Sequence, residues 1–336
     1  MNSSPVVPQG RGLYPWLEPS WSKLRDYVEL GRVPHALLIE GPEGVGKSSL
    51  ALCFANHLLC EKPRDGRFYC GQCAACHLVE AGTHPDLVRI DPPEPGKPIT
   101  VDRIRELSEN SALTVAAQRY RVVVIGHAEQ MNLAAANAFL KTLEEPGKGT
   151  VMILVSARCW DLPLTIKSRC QSLRVVAAID QVTKDWLAQR VEPDQVEALL
   201  AMACNAPLKA LAIAASGKLE SRNSAFSWWR DVAAHAADPL KVAEKLAAFP
   251  LREVLQWISA WTVDMIRLAM VREVETLHNP DLRALLQDLA GKLELNELIE
   301  FYDGLIHASS LINTTVNAQM LLESILIDWY RLKRSD

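Results

Sequence analysis

The stretch Gly41-Pro42-Glu43-Gly44-Val45-Gly46-Lys47-Ser48 decides the fold of this chain, and it lies between an apolar segment at residues 36–39 and a helical pattern at residues 49–59. A strand that ends in glycines and continues as a helix points backbone N–H groups into a concavity that suits phosphate oxygens. We expect Lys47 to reach the terminal phosphates of a nucleotide and the Ser48 hydroxyl to bind Mg²⁺. A glycine-rich turn that matches by coincidence is the competing interpretation, which the order of strand, loop and helix disfavours. The predicted nucleotide-binding residues are Gly41, Gly44, Val45, Gly46, Lys47, Ser48 and Ser49.

Length, charge and composition limit the class of protein. The chain has 336 residues, 49% of them hydrophobic, which predicts two or three domains with cores of ordinary size. Its net charge of -4 creates no overall positive field, so any contact with DNA requires a local basic patch or partner subunits. The first residues form neither a basic nor an apolar signal segment, and the later apolar stretches are interrupted by polar residues. We therefore expect a cytoplasmic protein that does not bind a membrane.

Four of the eight cysteines form a cluster with the spacing C-x9-C-x2-C-x2-C, whereas the other four lie apart. Clustered cysteines in a chain without a signal segment indicate a metal site rather than disulfides. Four thiolates suit a tetrahedral Zn²⁺ ion and leave no open position for chemistry, so the predicted site is structural. The alternative is a set of buried or free thiols. The predicted ligands are Cys60, Cys70, Cys73 and Cys76.

Apolar strands alternate with helical patterns after the phosphate loop, which predicts a parallel α/β sheet. The strand at residues 121–125 is followed by Gly126-His127-Ala128-Glu129. A phosphate-loop ATPase normally places the acid that holds Mg²⁺ and the acid that orients water directly after this strand. Here those two positions carry Gly126 and His127. Glu129 is displaced from both positions, and one interpretation is that it is only a solvated residue. At the end of the next strand, the Ser156 hydroxyl suits a γ-phosphate and an ordinary polar strand end equally well.

Beyond about residue 178 the pattern is helical to the C-terminus. The predicted fold class is therefore α/β followed by all-α. We predict a nucleotide-binding domain at residues 1–177, which contains the zinc module at residues 60–76. A small helical domain at residues 178–216 and a helical bundle at residues 217–336 follow, and the surfaces of the bundle suit oligomerisation.

Several motifs occur in one order along the first half of the chain. They are Tyr14-Pro15-Trp16-Leu17, His35-Ala36-Leu37-Leu38-Ile39, the four clustered cysteines, Gly82-Thr83-His84-Pro85-Asp86, Ala136-Asn137-Ala138-Phe139-Leu140-Lys141-Thr142-Leu143-Glu144-Glu145-Pro146 and Ser168-Arg169-Cys170. Together they resemble the delta-prime family of bacterial clamp-loader subunits, which are AAA+ proteins. The C-terminal half matches mainly in its helical character. The resemblance implies an AAA+ phosphate-loop module with a parallel sheet, a small helical lid and a C-terminal helical collar domain.

The resemblance also implies partners. It places the chain in a hetero-pentameric ring with motor subunits of the tau or gamma type and a delta subunit. That ring opens the sliding clamp and loads it on primed DNA, so the chain would be a non-catalytic subunit of a DNA polymerase holoenzyme, itself a nucleotidyltransferase complex.

In this family the arginine of the Ser-Arg-Cys motif, here Arg169, projects into the ATP site of the neighbouring motor subunit. The implied role of Arg169 is that of a catalytic arginine finger acting in trans, for which a planar guanidinium suits the γ-phosphate better than an ammonium group. The competing interpretation is that Arg169 pairs with a carboxylate on the surface of its own domain.

Departures from the family pattern define the remaining alternatives. Well-known delta-prime subunits that resemble this chain have a degenerate phosphate loop, whereas the loop here is intact, so ATP with Mg²⁺ is a candidate ligand. Motor subunits carry acids where this chain has Gly126 and His127, and a lid arginine where alignment places Leu208. We therefore expect nucleotide binding with poor hydrolysis. A motor ATPase of the tau or gamma type is the first alternative, and a zinc-bearing phosphate-loop nucleoside kinase, for which the sequence supplies no carboxylate base, is the second.

Overall fold

The computed structural model describes residues 13–63, 68–94, 96–111, 120–178, 180–271, 274, 276–313 and 317–333. Residues 64–67 of the predicted zinc module lie outside these ranges. The chain divides into two compact units. The N-terminal unit comprises Met1–Asp185 together with Ala206–Lys209, and the C-terminal unit comprises Trp186–Asn205 and Ala210–Asp336. The three-domain division drawn from the sequence stays a prediction.

A five-stranded parallel sheet forms the centre of the N-terminal unit. Its strands are β1 (Ala36–Glu40), β2 (Leu87–Ile90), β3 (Arg121–Ile125), β4 (Thr150–Ser156) and β5 (Gln171–Arg174). They are ordered β2-β3-β4-β1-β5, and every neighbouring pair is parallel. All residues of β3 and β4 are buried, as expected for central strands covered on both faces. The predicted parallel α/β sheet is confirmed.

Helices connect these strands and cover the sheet. They are α1 (Glu18–Glu29), α2 (Lys47–Leu59), α3 (Ala74–Glu80), α4 (Val101–Ser111), α5 (Leu133–Glu144) and α6 (Leu164–Lys167), and α7 (Gln181–Ala188) follows the last strand. Helix α5 begins where Asn132 Oδ1 accepts a hydrogen bond from the backbone N–H of Ala135, at 2.8 Å, which is a typical N-terminal cap. Pro146 follows its end, because proline cannot continue the hydrogen-bonded ladder. In one hydrophobic cluster of this unit, Phe139 of α5 packs with Val123 of β3 and Leu154 of β4.

The C-terminal unit is helical, and the structure describes no strand after Arg174. Its elements include α8 (Val196–Met202), α10 (Lys218–Ala233), α11 (Pro239–Leu246), α12 (Leu251–Met270), α13 (Arg283–Ala290), α14 (Leu295–Ser310) and α15 (Ala318–Arg331). Helix α9 (Pro207–Ala215) begins in the N-terminal unit. The core of the bundle is built on tryptophans: Trp229 and Trp329 stack with ring centroids 4.1 Å apart, and Trp261 packs against Trp229. The predicted all-α C-terminal region is confirmed.

A buried polar network also holds this bundle. Arg222, which is 1% exposed, donates hydrogen bonds of 2.8 and 3.1 Å to the two carboxylate oxygens of Asp281 and one of 2.7 Å to Asn279 Oδ1. The Asp264 carboxylate is fully buried and accepts hydrogen bonds from the backbone N–H groups of His278 and Asn279. The network therefore ties the segment before α13 to α10 and α12.

Of the described helices, none alone has the length and apolar character needed to span a membrane. One sharply bent pair, Pro193–Met202 with Pro207–Ala215, meets those two criteria when its members are taken together.

Candidate nucleotide site, surface arginine and metal centre

The phosphate loop joins β1 to α2, and its glycines adopt conformations that other residues rarely take. Gly44 has a φ of 80° and Gly46 a φ of 91°, both in the left-handed region. A Cβ atom on Gly44 would lie 2.7 Å from the backbone nitrogen of Lys209, and one on Gly46 would lie 3.0 Å from the ring of Tyr14. The close approach of Lys209 therefore requires glycine at position 44, and the positive φ together with the nearby Tyr14 ring favours it at position 46.

Three carbonyl groups of the loop accept hydrogen bonds from the N-terminal unit. The Trp16 indole N–H donates to Val45 O at 2.9 Å, and the Leu208 backbone N–H donates to Gly44 O at 3.0 Å. The Lys47 ammonium donates to Pro42 O at 2.6 Å. These bonds hold the shape of the loop from the segment before β1 on one side and from the start of α9 on the other.

Lys47 is the first residue of α2 and only 6% exposed. Burial lowers its pKa to about 8, and the carboxylates of Glu129 and Glu43 act in the opposite direction. The ammonium group therefore stays mostly charged at neutral pH and is available to a phosphate. Ser48 and Ser49 follow Lys47 in the first turn of α2, where helix N–H groups favour an anion.

The start of α9 lies against the loop, where the sequence suggested that a lid arginine is missing. Leu208 contributes its backbone N–H to Gly44 O. The next residue, Lys209, is exposed, and its Cβ would be 2.6 Å from a Cβ on Gly44. The backbone and Cβ of Lys209 thus lie beside the phosphate loop, a contact that the aligned position alone does not indicate. The basic residue directly after Leu208 was the available signal.

The turn after β3 differs from the expectation for Glu129. This residue lies in the short 3-10 turn Ala128–Gln130, and its side chain is only 3% exposed, so the hypothesis of a merely solvated residue is wrong. Burial alone would raise the pKa of Glu129, but the nearby side chains of His127 and Ser156 and neighbouring backbone N–H groups favour the carboxylate anion and lower that pKa to about 2. In turn, the Glu129 carboxylate raises the pKa of His127. The site therefore contains a buried carboxylate anion.

Gly126 leaves a space that another acid fills. A Cβ atom on Gly126 would lie 2.1 Å from Asp91 Oδ1, at the end of the neighbouring strand β2. The other carboxylate oxygen of Asp91 accepts a hydrogen bond of 3.2 Å from Arg89, and the Asp91 side chain is 50% exposed. Local sequence patterns do not indicate this arrangement, because the two residues are 35 positions apart.

Arg169 lies two residues after α6, on the surface of the N-terminal unit. Its guanidinium donates a hydrogen bond of 2.7 Å to Glu144 Oε1 and one of 3.0 Å to Thr165 O. The Arg169 and Glu144 side chains are 38% and 53% exposed. Arg169 therefore pairs with a carboxylate of its own domain, as the competing interpretation of this residue proposed. Exposed pairs of this kind contribute only ~0–1 kcal/mol, so the pair does not commit the arginine to this position.

The four clustered cysteines come together in space. Their Sγ atoms all lie within 4.8 Å of one another, and Cys70 Sγ is 3.9 Å from Cys76 Sγ. A tetrahedral Zn²⁺ with bonds of about 2.3 Å to sulfur requires sulfur atoms roughly 3.8 Å apart. Backbone N–H groups, foremost that of Gln72, lower the pKa of Cys70 to about 6, which favours the thiolate that binds metal. The donor set and its spacing fit a structural zinc ion.

Comparisons with known proteins agree along almost the whole chain. A family model described as DNA polymerase III, delta subunit, matches residues 17–178, and one described as its C-terminal part matches residues 216–331. The chain is 34% identical over 327 residues to DNA polymerase III subunit delta' of Pseudomonas aeruginosa, with 95% of this chain and 98% of the relative covered. It is 29% identical over 330 residues to subunit delta' of Escherichia coli, with 94% of each covered. It is 32% identical over 213 residues to subunit tau of Bacillus subtilis, with 63% of this chain and 36% of that protein covered.

Proposed function

Given that this chain belongs to the delta-prime family of DNA polymerase III clamp-loader subunits, we propose that it holds a nucleotide, hydrolyses it poorly and supplies Arg169 to the ATP site of a neighbouring motor subunit. Its fold is an AAA+ phosphate-loop module followed by a helical region. Its partners in the ring would be motor subunits of the tau or gamma type and a delta subunit. The assembled ring would act on the sliding clamp and primed DNA.

The exposed position of Arg169 is the observation that carries this proposal. The guanidinium stands on the surface of the N-terminal unit, and its ionic partner Glu144 is more exposed than Arg169 itself. A phosphate accepts two charge-assisted hydrogen bonds from a guanidinium and competes well with such a carboxylate. Trp160 and Leu164, in the same connection between β4 and β5, are 71% and 76% exposed. Exposed large apolar side chains in the same connection as an exposed arginine are typical of a surface that contacts another protein.

Support for nucleotide binding comes from the loop. Its glycines have the backbone conformations that a phosphate cradle requires, and Lys47 is buried but mostly charged. Poor hydrolysis is expected because the position of the water-orienting acid carries His127, so no carboxylate stands there to orient water.

The zinc ion is proposed as a structural element. Cys60 follows α2, and Cys76 lies in α3, so the metal would join two helices through the loop between them. Four sulfur ligands leave no open coordination position, and a bound ion would supply cross-linking rather than chemistry.

Assays on the chain alone and in mixtures with motor subunits test the proposal. We expect the isolated chain to bind Mg-ATP through Lys47 and to turn it over far more slowly than a motor subunit. Rapid turnover that Lys47→Ala abolishes would instead identify a motor ATPase, the alternative that the intact loop favours. Because the chain belongs to the delta-prime family, the alternative of a nucleoside kinase has no support.

A further inference from the structure

We propose that Glu129 is the acid that holds Mg²⁺ at the phosphate loop, in place of the carboxylate that Gly126 lacks. The inference rests on the proposed binding of nucleotide and names the residue through which the metal is held. Glu129 lies outside the acid positions of the phosphate-loop ATPase pattern, and the proposed role of Arg169 does not involve it.

The sheet brings Glu129 to the edge where the phosphate loop begins. Ser156, the last residue of β4, is in register with Glu40, which directly precedes Gly41 of the loop. On the other side of β4, Ile125 at the end of β3 is in register with Leu154. Since the strands are parallel, the turn after β3 and the loop after β1 lie at the same end of the sheet.

The two oxygens of the Glu129 carboxylate have different surroundings. Oε1 lies 3.8 Å from His127 Nδ1, whereas Oε2 is buried and has no hydrogen-bond partner among the residues that the structure describes. Buried polar atoms in folded proteins almost always have a partner, and an exception points to an ion or a ligand. A carboxylate oxygen is the ligand type that Mg²⁺ prefers.

The charge of Glu129 reaches the nucleotide site. Its carboxylate counteracts the effect of burial on Lys47, and it does so more strongly than Glu43, although Glu43 belongs to the loop itself. The attraction between two charges weakens as the distance between them grows. The Glu129 anion therefore lies near the group that is expected to contact the terminal phosphates, where the metal of a Mg-nucleotide would also lie.

Asp91 is the other candidate for this role, and its surroundings argue against it. Although it fills the space beside Gly126, its side chain is 50% exposed and one of its oxygens is already paired with Arg89. Burial strengthens the attraction between a carboxylate and a metal ion, because less of that attraction is screened by water. Glu129, at 3% exposure, has this advantage and Asp91 does not.

This assignment separates metal binding from hydrolysis. A carboxylate at residue 129 can hold Mg²⁺, but no acid occupies position 127, where water would be oriented. The site would bind Mg-nucleotide stably and cleave it slowly, as the proposed function requires.

The test measures how strongly Mg²⁺ promotes ATP binding to the full chain. ATP is titrated calorimetrically into the wild type, Glu129→Gln, Glu129→Asp and Asp91→Asn, each with excess MgCl₂ and with EDTA. We expect Mg²⁺ to tighten binding to the wild type on the order of tenfold. Glu129→Gln should lose this enhancement and keep its affinity in EDTA, Glu129→Asp should retain part of it, and Asp91→Asn should retain all of it.

The outcomes distinguish failure of the inference from failure of the proposed function. An undiminished Mg²⁺ enhancement in Glu129→Gln, or a lost enhancement in Asp91→Asn, would overturn the assignment while leaving nucleotide binding intact. A wild-type chain that binds no ATP under either condition would overturn both. Thermal unfolding of each variant checks folding, and the graded effect of Glu129→Asp gives a second measurement if Glu129→Gln does not fold.

Discussion

The Arg169 guanidinium donates a 2.7 Å hydrogen bond to Glu144 Oε1, which joins the segment after α6 to the last residue of α5. Both side chains are exposed, so water screens much of their attraction. A phosphate in a site from which water is excluded offers Arg169 two stronger, charge-assisted hydrogen bonds. The pair therefore orients the arginine at the surface without preventing it from reaching a neighbouring subunit.

Arg169→Ala should suppress clamp-stimulated ATP hydrolysis by the assembled ring and leave assembly intact. An arginine finger accelerates hydrolysis at its site by roughly a thousandfold or more, so the site that receives Arg169 should be almost inactive. Steady-state ATPase assays and size-exclusion chromatography of the reconstituted complex measure the two effects. Arg158→Ala is the matched control, because Arg158 is an exposed arginine of the same connection that pairs with Asp161. Undiminished ring ATPase in Arg169→Ala would refute the role in trans.

Glu144→Gln should change the free energy of unfolding by less than about 1 kcal/mol, because the pair that it weakens is exposed. Ring ATPase should equal or exceed that of the wild type, since the guanidinium loses a competing partner. Urea unfolding of the isolated chain and ATPase assays of the ring measure these effects, with the exposed neighbour Glu145→Gln as control. If Glu144→Gln were as inactive as Arg169→Ala, the pair itself would be part of the working site.

Freshly purified protein should contain one equivalent of zinc per chain. Cys70→Ser should lose the metal and lower the melting temperature, because the ion cross-links the end of α2 to α3. Cys204→Ser should keep both zinc and stability, since Cys204 is exposed and lies outside the cluster. Metal analysis and thermal unfolding measure the two properties. Substantially less than one equivalent in the wild type would count against the metal site.

Gly44→Ala should weaken ATP binding, whereas Gly82→Ala should not. Both glycines have positive φ values, 80° and 71°, so alanine at either position costs roughly 1–2 kcal/mol of backbone strain. Only at Gly44 would the new Cβ meet backbone atoms, those of Lys209, whereas the space around Gly82 is open. The difference between the two variants in ATP titration therefore isolates the contact between the loop and the start of α9. Equal affinities would show that this contact does not shape the loop.

Much of the N-terminal unit could be predicted from local sequence. The phosphate loop, the apolar strands and the alternation with helices are signals within a few residues, and they led to the parallel sheet that the structure contains. The spacing of the four cysteines likewise predicted a cluster that the fold brings together.

Contacts between distant residues could not be predicted in this way. The sequence suggested a missing acid at Gly126 and a displaced one at Glu129, but not that Asp91 fills the first space or that Glu129 is buried. It also suggested that a lid cation is missing at Leu208, but not that the backbone and Cβ of Lys209 lie beside Gly44.

The sequence by itself determined the fold class, the phosphate loop and the likeness to clamp-loader subunits, because each depends on backbone conformation and residue spacing along the chain. Only the tertiary structure decided which carboxylates face the loop, which carboxylate pairs with Arg169, and that Arg222 is buried against Asp281, 59 residues away. The physical reason is that burial and charge pairing depend on distances in space, and the packing of separate elements sets those distances.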